Sequence, residues 1–281
     1  MNERGLSRRG LLAAAVLAVA GGGVAGAGAI RHAGAEAAGR VSTPDQLAAA
    51  RTKVAAYVAD VGNLSVAVRD RTSGVALTVG TGRFQTASIV KVDILAALLL
   101  YAQQRILTIT DADRSAAKKM ITASDNVAAT ALYRRIGGKA GLTAANKVFG
   151  MTETLPQAGW GVTTTTAADQ IRLLTSLTDE QGPLDDDSRT YLFDLMSQVE
   201  ADQAWGVSAA GLPTTRVYLK NGWDTYNADW QVNTIGRLVE PGHDWLVAVL
   251  SNHDKTQADG VKKVEAVARY AVDELRKVPR P

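Results

Sequence analysis

The chain of 281 residues is long enough for one large domain or two lobes, and its 46% hydrophobic and 21% charged residues are typical of a globular protein. No residue is a cysteine, which excludes disulfides, thiol catalysis, thiolate metal sites and a lipid-modified cysteine. The formal net charge is +3, and its meaning depends on where the charges lie.

The N-terminal segment has the pattern of an export signal. Residues 7–12 are Ser-Arg-Arg-Gly-Leu-Leu, a run rich in Ala, Leu, Val and Gly follows to about residue 30, and Ala-Gly-Ala at 33–35 offers a cleavage site. This pattern is typical of twin-arginine signal peptides and predicts the removal of residues 1–35. An uncleaved membrane anchor is the alternative.

Removal of that segment changes the charge balance. Residues 1–35 hold four of the 31 basic residues and one of the 28 acidic residues, which leaves 27 of each in residues 36–281. Nucleic-acid binding then loses its compositional support, and no nucleic-acid partner is expected. We expect a secreted or otherwise extracytoplasmic monomer with no stable membrane association once the signal is removed.

The remaining chain divides into strands at its two ends and helices in its middle. A Ser-Thr-Pro-Asp capping pattern at 42–45 predicts a helix to about residue 59. Alternating and β-branched residues predict strands at 64–69, 75–79, 215–220, 230–239 and 244–250. Periodic apolar residues predict helices from Ser88 onward and at 111–122, 126–136, 139–149, 167–177, 185–200 and 256–277.

This order of elements predicts an α/β fold of the α+β type. A five-stranded antiparallel sheet would be flanked by the N- and C-terminal helices, with an all-helical lobe added to it. In a catalytic domain of residues 36–281, the α/β lobe would comprise about 40–87 and 205–281, and the helical lobe about 88–204. The cleft between the lobes is the expected site.

Ser88-Ile-Val-Lys91 places a hydroxyl and an amine on one face at the start of a predicted helix. The positively polarised end of a helix favours a developing negative charge on the hydroxyl oxygen. With only three histidines in the chain, a lysine is the better candidate to activate a serine. Taken alone, the same spacing also fits a helix cap followed by a solvated lysine.

Two further motifs follow in order, Ser124-Asp125-Asn126 and Lys220-Asn221-Gly222. Together with Ser88 and Lys91, they resemble the three motifs of class A β-lactamases and penicillin-binding proteins. The resemblance extends over essentially all of residues 36–281. It implies a serine hydrolase that opens a β-lactam or a peptide-like amide through an acyl-enzyme, without a metal or other cofactor.

The resemblance also implies a role for each matched residue. Ser88 would be the nucleophile, Lys91 the general base, and Ser124 the hydroxyl that relays the proton to the leaving nitrogen. The backbone N–H groups of Ser88 and Trp223 would form the oxyanion hole. The implied substrate-binding residues are Asn126, Lys220, Asn221, Gly222 and Trp223.

The match is incomplete in three places. Asn221 replaces the Thr or Ser that the family usually has in its third motif. The loop 150–166 is short, and its only acid is Glu153, with Gln157 four residues later; Glu153 is the candidate base for deacylation. The family's arginine for the substrate carboxylate has no match, and Arg216 and Arg237 are possible substitutes.

Two other functions remain open on the sequence. The departures favour a DD-peptidase, esterase or amidase of the penicillin-binding type, with slow or no turnover of β-lactams. A non-catalytic binding protein could also keep the fold. A metal hydrolase has little support, because His243 and His253 lack the spacing of metal ligands.

Overall fold

The computed structural model describes residues 43–279, so the predicted export signal at 1–35 lies outside the described residues. The helices are α1 (Thr43–Val61), α2 (Val90–Gln103), α3 (Asp111–Thr122), α4 (Asn126–Arg135), α5 (Gly138–Val148), α6 (Ala167–Thr178), α7 (Asp186–Ser197) and α8 (Gln257–Arg276). The strands are β1 (Leu64–Asp70), β2 (Ala76–Val79), β3 (Phe84–Gln85), β4 (Thr164–Thr165), β5 (Arg216–Tyr226), β6 (Asp229–Glu240) and β7 (His243–Asp254).

Five strands from both ends of the chain form one antiparallel sheet in the order β2-β1-β7-β6-β5. The α+β fold predicted from the sequence is therefore confirmed. β5 lies at the edge of this sheet, with β6 as its only neighbour. Every second N–H group of an edge strand is left without a strand partner and is free to bind a ligand. β5 can therefore form one side of a binding site.

The two faces of the sheet pack against different helices. Residues such as Val217 and Leu219 lie in the apolar cluster formed with α1 and α8. Tyr218, from the opposite face of the same strand, packs on the cluster that contains α2. Because side chains alternate along a strand, Lys220 lies on the same face as Tyr218.

α2 is the central helix of that second cluster. Its residues from Val90 to Leu100 are all buried, as expected for a helix that is apolar around its whole circumference. A single 3₁₀ turn, Ala87–Ile89, leads directly into it. The described residues contain no helix of the length and apolar character that a membrane span requires.

The structure corrects the predicted end of β5. The sequence predicts a strand that stops at residue 220, whereas β5 continues to Tyr226 and pairs with β6 along its whole length. The hairpin turn lies at Asn227 and Ala228, which both have positive φ, as a two-residue turn of this kind requires. Gly222 therefore lies inside a strand and not in a turn.

A small second sheet, β3 paired with β4, was not predicted. Two-residue strands are too short to show a period in the sequence. This pair joins the segment that precedes Ser88 to the end of the loop 150–166.

Candidate active site

Ser88 and Lys91 form the centre of the site. The 3₁₀ turn places Ser88 one turn before Lys91, and Lys91 Nζ donates to Ser88 Oγ at 2.9 Å. Lys91 has no exposed surface, whereas Ser88 is half-buried and remains accessible. Ala87, just before Ser88, has a φ of +45°, a left-handed conformation that is costly for a residue with a side chain.

The second motif completes the surroundings of Lys91. Its Nζ also lies 2.6 Å from the backbone oxygen of Ser124, 3.0 Å from Ser124 Oγ and 2.8 Å from Asn126 Oδ1, so its N–H groups are shared among these acceptors and Ser88 Oγ. Asp125 is the N-cap of α4 and accepts from the N–H of Ala128. Because Asp125 provides the cap, the side chains of Ser124 and Asn126 are available to Lys91.

Lys220 reaches the same hydroxyl from β5. Its Nζ donates to Ser124 Oγ at 3.0 Å and to the backbone oxygen of Asn221 at 3.0 Å. Ser124 Oγ thus touches both lysines. Lys220 is fully buried, and its amine lies behind Ser124 Oγ.

Burial determines the protonation of both lysines. Desolvation lowers the pKa of Lys91 to about 7, although the carboxylate of Asp125 opposes the change. Desolvation and the positive charge of Lys91 lower the pKa of Lys220 to about 7. At neutral pH an amine with this pKa is partly free of its proton and can accept one from a hydroxyl.

Asn221 is placed differently from the sequence expectation. Its amide is fully buried and donates to the backbone oxygens of Gln203 at 2.7 Å and Trp205 at 2.8 Å. This buried position does not favour the expected direct contact with a substrate, which stays a prediction. Asn221 instead ties β5 to the segment that carries Gln203 and Trp205.

Gly222 and Trp223 form the part of β5 nearest the nucleophile. A Cβ at Gly222 would lie 2.6 Å from the N of Ser88 and 2.7 Å from the O of Thr86, so only glycine lets the strand approach this closely. The side chain of Trp223 packs beside Trp205, with their ring centroids 5.7 Å apart. The backbone of Trp223 is thus its only candidate contribution to an oxyanion hole.

Glu153 is engaged away from the two lysines. Its Oε2 accepts from Thr166 Oγ1 at 3.3 Å and lies 3.5 Å from Arg172 Nη1. Its backbone N–H donates to the buried carboxylate of Asp169. The described structure gives Glu153 no contact with Ser88 or Lys91.

Trp160, from the same loop, lies against Lys91 instead. The centroid of its ring is 4.8 Å from Lys91 Nζ, and its Nε1 donates to Thr130 Oγ1 at 3.1 Å. No role of Trp160 is predicted from the sequence, because an isolated tryptophan is most often a core residue. Its position within the loop 150–166, between the second and third motifs, was the only available signal.

The other candidates lie outside this cluster. Arg237 is held by both carboxylate oxygens of Asp244, and Arg216 and Arg237 line a cavity of about 640 Å³ that includes no residue of the Lys91 cluster. His243 pairs with Asp70, and His253 with Asp229. These carboxylate partners account for the positions of both histidines, so a catalytic role is not needed to explain them.

A sequence model of the β-lactamase enzyme family matches residues 113–275, more than half of the chain. The chain belongs to the β-lactamase enzyme family. The matched region includes Ser124, Asn126 and Lys220, while Ser88 and Lys91 precede it.

The chain is similar to the LppW proteins of Mycobacterium bovis and Mycobacterium tuberculosis, which carry a lipoprotein name. The identity is 32% over 169 residues, covering 57% of this chain and 54% of theirs. The chain therefore spans about half the length of the curated relatives it matches.

Solved structures share the fold over most of the chain. A mutant of PBP-A, in an acyl-enzyme complex with penicillin G, is 21% identical with a TM-score of 0.72 and covers 82% of this chain and 97% of its own. A β-lactamase from Chitinophaga pinensis is 18% identical, with a TM-score of 0.71 and coverages of 81% and 99%. A variant of the class A β-lactamase of the last common ancestor of Gram-negative bacteria is 24% identical, with a TM-score of 0.66 and coverages of 85% and 100%.

Proposed function

We propose that the protein is a serine hydrolase that opens β-lactam rings through an acyl-enzyme on Ser88, with Lys91 as the general base. One observation carries this proposal: Lys91 Nζ lies 2.9 Å from the accessible hydroxyl of Ser88, in surroundings that lower the pKa of the amine to about 7. Membership of the β-lactamase family and the shared fold support it.

The cluster provides a path for each proton of acylation. The Ser88 hydroxyl gives its proton to Lys91 Nζ while Oγ attacks the carbonyl carbon of the lactam. The bond between that carbon and the ring nitrogen then breaks, leaving an ester on Ser88. Ser124 Oγ, 3.0 Å from Lys91 Nζ, passes a proton to the departing nitrogen and regains one from the lysine.

The remaining residues hold the substrate and the developing charge. Asn126 is exposed and uses its Oδ1 on Lys91, which leaves its Nδ2 for a substrate carbonyl. Lys220 supplies positive charge through Ser124. We assign the oxyanion hole to the backbone N–H groups of Ser88 and Trp223, which the close packing at Gly222 brings near each other.

A second function, penicillin binding with slow turnover, is favoured by the loop 150–166. Hydrolysis of the ester needs a water held by a base. Glu153 is committed to Thr166 and Arg172, and the ring of Trp160 covers one side of Lys91. In the described structure no carboxylate forms a hydrogen bond or ion pair with Lys91 or Ser88.

One experiment tests acylation and turnover together. The protein is mixed with benzylpenicillin and followed by intact-mass spectrometry, while hydrolysis of a chromogenic cephalosporin is measured in parallel. We expect an adduct of the mass of penicillin on Ser88, and none with Ser88→Ala, whose acylation should fall by at least ~10³-fold. The absence of any adduct together with an intact cephalosporin would refute the proposal.

The lifetime of the adduct separates the two functions. A short-lived adduct with continuous hydrolysis identifies a β-lactamase. A stable adduct, or release of D-alanine from a cell-wall peptide analogue, identifies the penicillin-binding type. Unchanged penicillin affinity in Ser88→Ala, with no turnover by the parent, would instead indicate a binding protein.

We further propose that the protein acts outside the cytoplasm after removal of residues 1–35. The twin-arginine pattern supports export, and the lipoprotein name of LppW agrees with that location. The chain has no cysteine to carry a lipid, so we propose a free protein. Fractionation of a producing cell, with N-terminal sequencing of the exported form, tests this.

A further inference from the structure

The segment that precedes the nucleophile is held by an amide from the sheet. Asn233 lies on β6 opposite Gly222 and is fully buried. Its Nδ2 donates to the backbone oxygen of Gln85 at 2.8 Å and to that of Thr86 at 3.2 Å, and its Oδ1 accepts from the N–H of Ser251. These three contacts fix the orientation of the amide, since the donors and acceptors cannot be exchanged.

The carbonyls that Asn233 binds belong to the start of a strained turn. Ala87 follows directly with a φ of +45° and is buried. A left-handed alanine persists only where its surroundings impose the conformation. Two consecutive carbonyls held by one buried amide are such a constraint, because a rotation at Ala87 would move the oxygen of Thr86 away from its donor.

The strained turn also sets the direction of the groups that react. The O of Thr86 and the N of Ser88 both lie within 2.7 Å of the Cβ position at Gly222, so the turn rests directly on the backbone of β5. A shift of the turn would move the Ser88 hydroxyl relative to Lys91 and its N–H relative to β5. Errors of about 1 Å in such an arrangement are costly to a reaction.

We propose that Asn233 is a positioning residue that holds the Ala87 turn and thereby aligns Ser88 with Lys91 and with the backbone of β5. Only the expected effect of Asn233 on the acylation rate rests on the proposed function. The restraint of the turn itself is independent of what acylates Ser88. Nothing in the three sequence motifs identifies Asn233.

The test compares Asn233→Leu with Gln231→Leu. Gln231 is nearly buried on the same face of β6 and also makes two hydrogen bonds, but both go to Gln85 and none to Thr86. The Leu variants therefore remove a similar number of contacts from neighbouring places. Asn233→Ser provides a milder change should Asn233→Leu fail to fold.

Two measurements are made on the folded fraction of each variant. The first is amide hydrogen exchange of a peptide covering residues 86–90, which we expect to accelerate about tenfold or more in the Asn233 variants and to change little in Gln231→Leu. The second is the single-turnover acylation rate at saturating benzylpenicillin, which we expect to fall by ~10²-fold while the apparent Kd stays close to that of the parent.

The outcomes are distinguishable. Parental exchange of residues 86–90 in both Asn233 variants would overturn the proposal, whatever the activity. Faster exchange with an unchanged acylation rate would also overturn it, because the turn would then not align Ser88. A parent that is never acylated would refute the proposed function instead, and the exchange data would still decide whether Asn233 holds the turn.

Discussion

Lys91 and Asp93 are two residues apart on α2, and both side chains are fully buried. Burial moves the pKa of each toward its neutral form, downward for the lysine and upward for the aspartate, where the nearby charge of Asp169 adds to the effect. Their partners differ. Lys91 Nζ contacts four polar atoms of the cleft. The Asp93 carboxyl has only the side chain of Gln170 and its own backbone N–H as nearby donors, and neither of its oxygens is in a well-formed hydrogen bond.

The difference shows that burial alone does not create a reactive group. Lys91 is desolvated next to an accessible hydroxyl, so its free amine has a proton to accept. Asp93 is desolvated within the apolar cluster around α2, where no substrate can reach it. On the proposed mechanism, the same physical effect therefore produces a base at one position and only a cost to folding at the other.

The largest effect is expected from Lys91→Met, which keeps an unbranched side chain one atom shorter and removes the amine. Acylation of Ser88 by benzylpenicillin should fall by ~10²- to 10⁴-fold, the usual contribution of a general base. Stopped-flow or quenched mass spectrometry measures the rate. Lys118→Met, at an exposed position of α3, is the matched control and should react like the parent. Equal rates in Lys91→Met and the parent would remove Lys91 from the mechanism.

The pH dependence of acylation tests the role proposed for Lys91 in this comparison with Asp93. Only neutral Lys91 accepts a proton, so below about pH 7 the rate should fall by about tenfold per unit. Lys220 shares the hydroxyl of Ser124 with Lys91, and loss of its charge at higher pH should produce a second, alkaline limb.

Rate constants at low benzylpenicillin concentration, measured across this range, give the profile. In Lys220→Met the alkaline limb should disappear, because the amine that loses its charge there is gone. A profile that is flat between pH 5 and pH 7 would contradict a lysine base.

The smallest effect on activity is expected from Asp93→Asn, which should acylate at the rate of the parent. Its effect is on stability. The raised pKa means that folding takes up a proton at any pH between the ordinary pKa of a carboxyl and the raised one. The parent should therefore lose free energy of unfolding by up to about 1.4 kcal/mol per pH unit, from the ordinary carboxyl pKa of 3.8 upward until the folded carboxyl ionises.

Urea denaturation at several pH values measures this difference. The Asn variant should be the more stable form at neutral pH and should approach the parent near pH 3, where the carboxyl is protonated in both states. A variant that is less stable than the parent at pH 7, or that acylates much more slowly, would give Asp93 a role beyond the one assigned to it.

The fold and the residues around Lys91 could be predicted from the sequence only in part, and for different reasons. Most strands and helices could be located, because periodicity is a local property. The Ser88, Lys91, Ser124 and Lys220 set could be located because its three motifs resemble those of a known family. The role of Asn221 could not be predicted, because its amide binds the segment around Gln203 and that packing depends on the whole sheet. Trp160 and Asn233 were missed for the same reason, because each meets the site only through a long-range contact.

The contact between Trp160 and Lys91 makes the fluorescence of Trp160 a means of following the state of the lysine amine. Indole emission is sensitive to a charge against the ring, and this ring lies 4.8 Å from Lys91 Nζ. Protonation of the amine and the proposed acylation of Ser88 would both change the surroundings of the same indole. The chemistry at Ser88 can therefore be followed in the unlabelled protein, with Trp160→Phe to separate this signal from the other four tryptophans.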